Sequence, residues 1–252
     1  MSKILMEEMS WFEIKEAMEN GYDTVLLCAS SHEQHGPHLA ESTDYIIGLN
    51  WYKAVAEKLG HTLMAPVLRP GISPHHMPLP GSLTVSPELF RALVTACVEG
   101  YVHHGFKKVI LCSSHGGNFA VISELAKELD ARFEDVKVVS GMELSDFTRA
   151  CEDGDRMFGL PQGTCGAHAC CLETSIMLYV KPEYVNMDRA VVGYMGTDTA
   201  EGARLLLQHG VLGLSPAGIL GDPTKATAEM GKAYLELLVE RTLEILRKKL
   251  ED

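Results

Sequence analysis

The chain has 252 residues, 46% of them hydrophobic and 22% charged, with a formal charge of −12. This is the composition of a folded domain with a substantial core, and the acidic balance excludes the basic footprint that nucleic acid or an anionic membrane needs. No apolar run approaches the roughly 18 residues of a membrane span, and residues 1–8 lack the apolar core of a signal peptide.

In chain order, Ser10 and Glu13 have capping-box spacing and Gly21 is a stop, which predicts a helix over 10–21. Residues 24–29 form a continuous apolar run, the pattern of a strand covered on both faces. A charged stretch follows, then a periodic segment over 45–59 ending at Gly60, a helix that starts near Asp44. Residues 62–67 read as a second strand and 69–86 as a loop rich in Pro, Gly and His. Ser86-Pro87 opens a helix to about His104. Residues 108–112 are a third strand, 119–133 a helix and 136–139 a fourth strand. Between 141 and 166 the periodicity breaks, and Glu152, Asp153 and Asp155 among glycines suggest an acidic loop or lid. Residues 167–180 regain helical character, 182–222 look irregular, and Asp222-Pro223 opens a long amphipathic helix to the C-terminus. Strands alternating with helices predict one α/β domain over 1–252, with a mostly parallel sheet between helical layers.

Seven cysteines, with no CxxC pair of zinc-finger spacing, point to a reduced cytoplasmic protein. Cys28, Cys97 and Cys112 read as small core residues. Cys170 and Cys171 are adjacent and poorly placed to bond to each other.

The chemistry concentrates in residues 30–44, where three imidazoles and three carboxylates follow the first strand directly. Glu33 and His35, two apart, leave an extended chain on the same face at the carboxyl end of the strand, where open α/β sheets place their ligands. Asp44 is close enough to fold back over them. The set suits Zn²⁺, Mn²⁺ or Fe²⁺; a solvated acidic loop is the competing reading. His115 sits at another strand end before Gly116-Gly117, where backbone can approach a ligand closely. A phosphate cradle at that helix start is the alternative, but neither GxxxxGK[ST] nor GxGxxG occurs, and no GxSxG elbow supports Ser114 as a nucleophile. His168 and Glu173 are five apart, roughly 140° around a helix. They can share a site only if His168 precedes the helix or lies in its first turn, and a structural role for the pair competes with a catalytic one. Among the other histidines, His75 and His76 are candidates to line a pocket, His103-His104 to end a helix, and His38 to support the site from behind.

Glu33-Gln34-His35-Gly36-Pro37-His38 with Thr43-Asp44, Ser114-His115-Gly116-Gly117-Asn118, and His168 with Glu173-Thr174-Ser175 together resemble the creatininase (creatinine amidohydrolase) family. Pro80-Gly81-Ser82-Leu83 and Gly221-Asp222-Pro223 add to the likeness, which spans about residues 20–235. The resemblance implies a three-layer α/β/α sandwich and a homo-oligomer, often a hexamer. It also implies a metal-dependent hydrolase that cleaves a non-peptide C–N bond in a small cyclic amide or formamide. It makes Glu33, His35, Asp44 and His115 ligands of one or two divalent ions (Zn, Mn or Fe), with Asp44 the bridge if two bind. Glu173 becomes a further ligand or the base, and His168 the acid–base group. Creatinine-cleaving members carry an aromatic and a glutamate where this chain has Gly116 and Gly117, and Trp11 and Trp51 lie far in sequence from His168. The Gly-Gly form resembles members that hydrolyse formamides or inositol-derived diketones, so C–C cleavage of a cyclic diketone is the alternative reaction, and a non-catalytic metal- or ligand-binding protein the alternative class.

Overall fold

A computed structural model describes residues 3–166, 168–196 and 199–251. In chain order the principal elements are α1 (Trp11–Glu19), β1 (Thr24–Ala29), α2 (Thr43–Leu59), β2 (Thr62–Met64), α3 (Pro87–His104), β3 (Lys108–Ser113), α4 (Phe119–Arg132), β4 (Lys137–Ser140), α5 (Leu144–Met157), α6 (Cys171–Val180), α7 (Thr199–His209) and α8 (Ala228–Glu251). The four strands pair in the order β2-β1-β3-β4, all parallel, with Ala29 beside Ser113 at the carboxyl ends.

Strand alternation divides the core in two. Leu26, Cys28, Ile110, Cys112 and Val139 face one apolar cluster with residues of α2, α5, α6 and α8. Val25, Leu27, Val109, Leu111 and Val138 face a second with α3 and α4, which α1 flanks. This is the expected three-layer α/β/α arrangement, and the continuous apolar runs are explained by burial on both faces. Each fully buried Leu or Ile contributes about 2 kcal/mol by transfer from water.

The capping box of Ser10 and Glu13 forms as expected. Three expectations need correction. The stretch 141–166 is not one loop: α5 occupies much of it, burying Phe147, Ala150, Cys151, Gly154 and Asp155 on one stripe while its other charged residues lie off that stripe. Asp155 is a buried carboxylate that accepts from Gly163 N and Cys165 N (both 2.8 Å), holding the chain that leads to His168. The irregular section 182–222 contains α7. The final helix starts at Ala228; Asp222 instead caps a short 3₁₀ turn, Pro223–Lys225, by accepting from Thr224 N. Among the described residues no cysteine is in a disulfide; Cys28 and Cys112 are buried and Cys97 is half-buried. Among the described residues no helix is long and apolar enough to cross a membrane.

Helices α6 and α8 are in intimate contact because position 231 is glycine: a Cβ there would lie 1.8 Å from Ser175 O. Alanine would gain about 1 kcal/mol of helix propensity, but the clash is with backbone, and overpacking of this kind costs about 3 kcal/mol. Gly231→Ala is therefore expected to lower the urea midpoint sharply; an unchanged midpoint would show that the two helices can move apart.

Candidate metal centre

Strands β1 and β3 are neighbours in register, so the segments that follow them open at one sheet edge. Ser113 Oγ accepts from His115 N (3.0 Å) and lies 3.0 Å from Ala29 O, joining the two strand ends. Asn118 ties the Pro-rich loop to them: its Oδ1 accepts from Ile72 N (2.9 Å) and its Nδ2 donates to Ser30 O (3.2 Å). The approach requires glycine at 117, where a Cβ would meet Ile72 O at 2.1 Å. A glutamate at this position would not fit.

The six residues singled out in the sequence converge here. Glu33, His35, Asp44, His115, His168 and Glu173 are all at most 6% exposed. Asp44 lies in the first turn of α2 and Glu173 in that of α6, where the helix dipole favours a carboxylate. Asp44 Oδ1 is 3.2 Å from His35 Nε2, and its Oδ2 is 3.3 Å from His115 Nδ1. Glu33 Oε1 is 3.1 Å from His115 Nδ1. His35 donates from Nδ1 to Glu33 O (3.1 Å) and His115 from Nε2 to Ile72 O (2.9 Å). A backbone carbonyl only accepts, so each ring turns its other nitrogen toward the carboxylates, the arrangement typical of metal-ligating histidines.

Glu33 Oε1, His35 Nε2 and Asp44 Oδ2 are buried and have no hydrogen-bond partner. Their residues take part in three groups that could each hold one ion, Glu33–His35–Asp44, His35–His168–Glu173 and Glu33–His76–His168. Unpartnered acceptors converging from oxygen and nitrogen donors fit a divalent cation.

His168 meets the condition set for it, since it precedes α6 in extended chain paired with Leu220. The expected helix start at 167 lies outside the described residues, and 168–170 are not helical. Ala169 takes a left-handed conformation (φ 51°), which aims its N–H at Glu173 Oε2. His168 Nε2 is 2.8 Å from Gln34 O, and its Nδ1 faces Glu33 Oε1 at 3.6 Å. His38 supports the centre from behind, its Nε2 2.9 Å from Thr174 Oγ1.

The charges are strongly coupled. Burial opposes ionisation of Glu33, but the imidazoles of His115, His76 and His168 outweigh it and hold the carboxyl well below its usual range. Burial likewise disfavours a charged His35, yet Asp44, Glu173 and Glu33 push it up to about 10. His115 is driven well above its ordinary value by Glu33 and Asp44 against the same burial. Glu173 is raised to about 7, by burial first and by Asp44 and Glu33, with His35 opposing. Burial, with His76 and His35 adding to it, holds His168 well below the normal imidazole range.

Sequence reasoning does not single out Ser73 or Gln34, and it reads His76 only as a candidate to line a pocket. Ser73 donates to Glu33 Oε2. His76 Nε2 stands 3.4 Å from Glu33 Oε1. Gln34 sits between His76 and His168. The pairing of His75 with His76 in a Pro-rich loop was the available signal, and only His76 is fully buried. Trp11 is exposed on α1 and Trp51 is buried in α2, donating to Thr242 Oγ1 (3.0 Å); neither indole lies among the side chains of the cluster.

Known proteins share this framework. A mycofactocin precursor peptide peptidase from Mycobacterium ulcerans is 30% identical, over 87% of this chain and 82% of the relative. A 3-dehydro-scyllo-inosose hydrolase from Thermotoga maritima is 26% identical over 97% and 83%. The solved structure "Creatininase Mn" superposes with a TM-score of 0.79 at 24% identity, covering 98% of each chain, and shares the fold. The family model for creatininase, creatinine amidohydrolase, matches residues 7–246, and the chain therefore belongs to the creatininase family of hydrolases.

Proposed function

We propose that this chain is a metal-dependent amidohydrolase that cleaves a C–N bond in a small molecule at a two-ion centre. The observation that carries the reading is the convergence of the unpartnered Glu33 Oε1, His35 Nε2 and Asp44 Oδ2 in one buried cluster. Asp44 addresses a different imidazole with each oxygen. It would bridge an ion held by Glu33 and His115 and an ion held by His35 and Glu173. The ligand role suits Glu173 because its carboxyl, raised to about 7, needs a cation nearby to ionise fully at neutral pH. A divalent ion here, Zn²⁺, Mn²⁺ or Fe²⁺, supplies Lewis acidity to a substrate carbonyl and to water.

The chain's own groups do the rest. His168, with Nε2 tied to Gln34 O, presents the Nδ1 lone pair to the centre. It takes the proton that water releases on adding to the carbonyl carbon and returns it to the nitrogen as the C–N bond breaks. Burial of the cluster keeps bulk water out and strengthens each charge interaction. It favours a compact substrate or the end of a longer one, and the peptide substrate in the name of the Mycobacterium relative is compatible with the latter.

A panel of cyclic amides, formamides and short peptides, run beside cyclic diketones with each metal, tests the bond class. Hydrolysis of a C–N substrate that stops on chelation is expected. Turnover of diketones alone would move the reaction to C–C cleavage, as the name of the Thermotoga relative suggests.

The coupling also sets a pH dependence. In the metal-free protein His35 is protonated up to about pH 10 and His115 is likewise raised. Ligation requires neutral imidazoles, so ion uptake releases protons and affinity rises with pH, by up to about tenfold per unit for each proton released. The stability from a raised His35 is fully present below its unfolded value of about 6.5 and is lost as pH climbs through about 10. Glu173, raised to about 7, acts in the same direction: its charging becomes a penalty as pH rises past the unfolded value. The Tm of chelated protein is expected to fall between pH 6 and 10, and metal should flatten that fall. Equal slopes with and without metal would count against this charge assignment.

A further inference from the structure

Four imidazoles surround the carboxylates, and by proximity alone each is a possible ligand; Glu33, His76 and His168 form one candidate group. The partner of each ring's far nitrogen separates them. For His35, His115 and His168 that partner is a backbone carbonyl, at 3.1, 2.9 and 2.8 Å. A carbonyl must accept, so each of these three rings, when neutral, presents a bare nitrogen to the centre.

His76 differs. Its far nitrogen, Nδ1, lies 2.7 Å from Gln34 Nε2. Two backbone groups of fixed polarity orient that amide: Gly36 N donates to Oε1 (2.9 Å), and Nε2 donates to Gly218 O (3.1 Å). A flipped amide would set NH₂ against N–H and oxygen against oxygen. Gln34 therefore spends its two hydrogens on Gly218 O and His76 Nδ1. Its 2.9 Å approach to His168 Nε2 is a contact between two donors, each with its hydrogen directed to another acceptor. His76 must then carry its hydrogen on Nε2, the nitrogen facing the centre. An N–H cannot bind a metal. At 3.4 Å from Glu33 Oε1 it is also beyond a good hydrogen bond, so the donor is not consumed there.

We propose that His76, locked by Gln34 as the Nε2–H tautomer, is a catalytic residue that donates to the carbonyl oxygen of the substrate and is not a metal ligand. The inference rests on the hydrolase reading above. The other side chains facing the centre, Glu33, Asp44 and Glu173 with the lone pairs that His35, His115 and His168 offer when neutral, as ligation requires, are acceptors. An oxygen that gains negative charge needs a donor placed beforehand, and the loss of one such donor costs about 10²–10³ in kcat.

The test uses zinc-loaded protein. Long-range ¹H–¹⁵N spectra of histidine-labelled protein should show His76 protonated at Nε2. Gln34→Glu, which can accept but not donate at Nδ1, should reverse that tautomer. His76→Ala should keep the wild-type zinc content, and His76→Gln, which retains an N–H, should do the same. His76→Ala should bind the oxyanion probe acetohydroxamate at least tenfold more weakly, with partial recovery in His76→Gln. With a substrate from the panel, kcat should fall about 10²–10³-fold in His76→Ala with little change in KM. Zinc lost in His76→Ala, or a bare Nε2 in the spectra, would make His76 a ligand and overturn the proposal. Unchanged hydroxamate affinity would overturn it as well. Absence of any hydrolysis by wild-type protein, with the tautomer, zinc and hydroxamate results as expected, would instead count against the hydrolase reading.

Discussion

Asp44→Asn should empty the centre of metal and abolish turnover. The substitution keeps the shape of the side chain but replaces one acceptor oxygen with an NH₂ and removes the charge. Asp44 reaches His35 with one oxygen and His115 with the other, so either orientation of the new amide turns a donor toward a ligating nitrogen. Both proposed ions lose a ligand in one step. Loss of a residue that merely supports a ligand costs about 10–100-fold in metal affinity, and loss of a shared ligand should exceed the upper end of that range. Elemental analysis after dialysis should find wild-type protein loaded and the variant nearly free of metal. The apo proteins give an independent reading. Asp44 is the largest of the neighbours raising His35, so the chelated variant should be less stable than chelated wild type at pH 7. The gap should narrow toward pH 10, where wild-type His35 also loses its proton. A variant that retains its full metal content would remove Asp44 from the ligand set.

The α/β/α plan is legible because its signals are local. The apolar runs of β1 and β3 need no tertiary information, and a capped start such as Ser86-Pro87 marks a helix whatever it packs on. Helix α5 was hidden because Glu152, Asp153 and Asp155 with Gly154 read as loop composition. Its apolar stripe is carried by Phe147, Ala150 and Cys151, and Asp155 is buried by bonds to backbone that no pattern reveals. The ligand candidates were visible because they cluster at strand ends and helix starts, positions that the alternation of elements places at one edge. His76 is legible only as a pocket-lining candidate because its partner Gln34 is 42 residues away and the contact exists only once the Pro-rich loop folds over β1. The placement of His168 depends on the left-handed Ala169, a residue type that does not announce that conformation.

His168→Ala should separate proton transfer from metal binding. His168 shares with His35 and His115 the feature that marks a potential ligand, a far nitrogen bonded to a carbonyl. Its distance argues for a different role, because Nδ1 is 3.6 Å from Glu33 Oε1, whereas the close imidazole–carboxylate contacts of His35 and His115 are 3.1–3.3 Å. The ring instead lies against His35 and His76, with centroids 4.3 and 4.1 Å away. A base in that position is neutral at working pH, since burial and the two neighbouring imidazoles depress its protonation. Metal content should therefore be unchanged in His168→Ala while kcat falls about 10²–10⁴-fold, the usual worth of a positioned acid–base group. The loss should shrink for substrates with an activated leaving nitrogen, because such a nitrogen departs without being protonated. The opposite pattern, metal lost in step with activity and no dependence on the leaving group, would place His168 among the ligands and return the base role to Glu173.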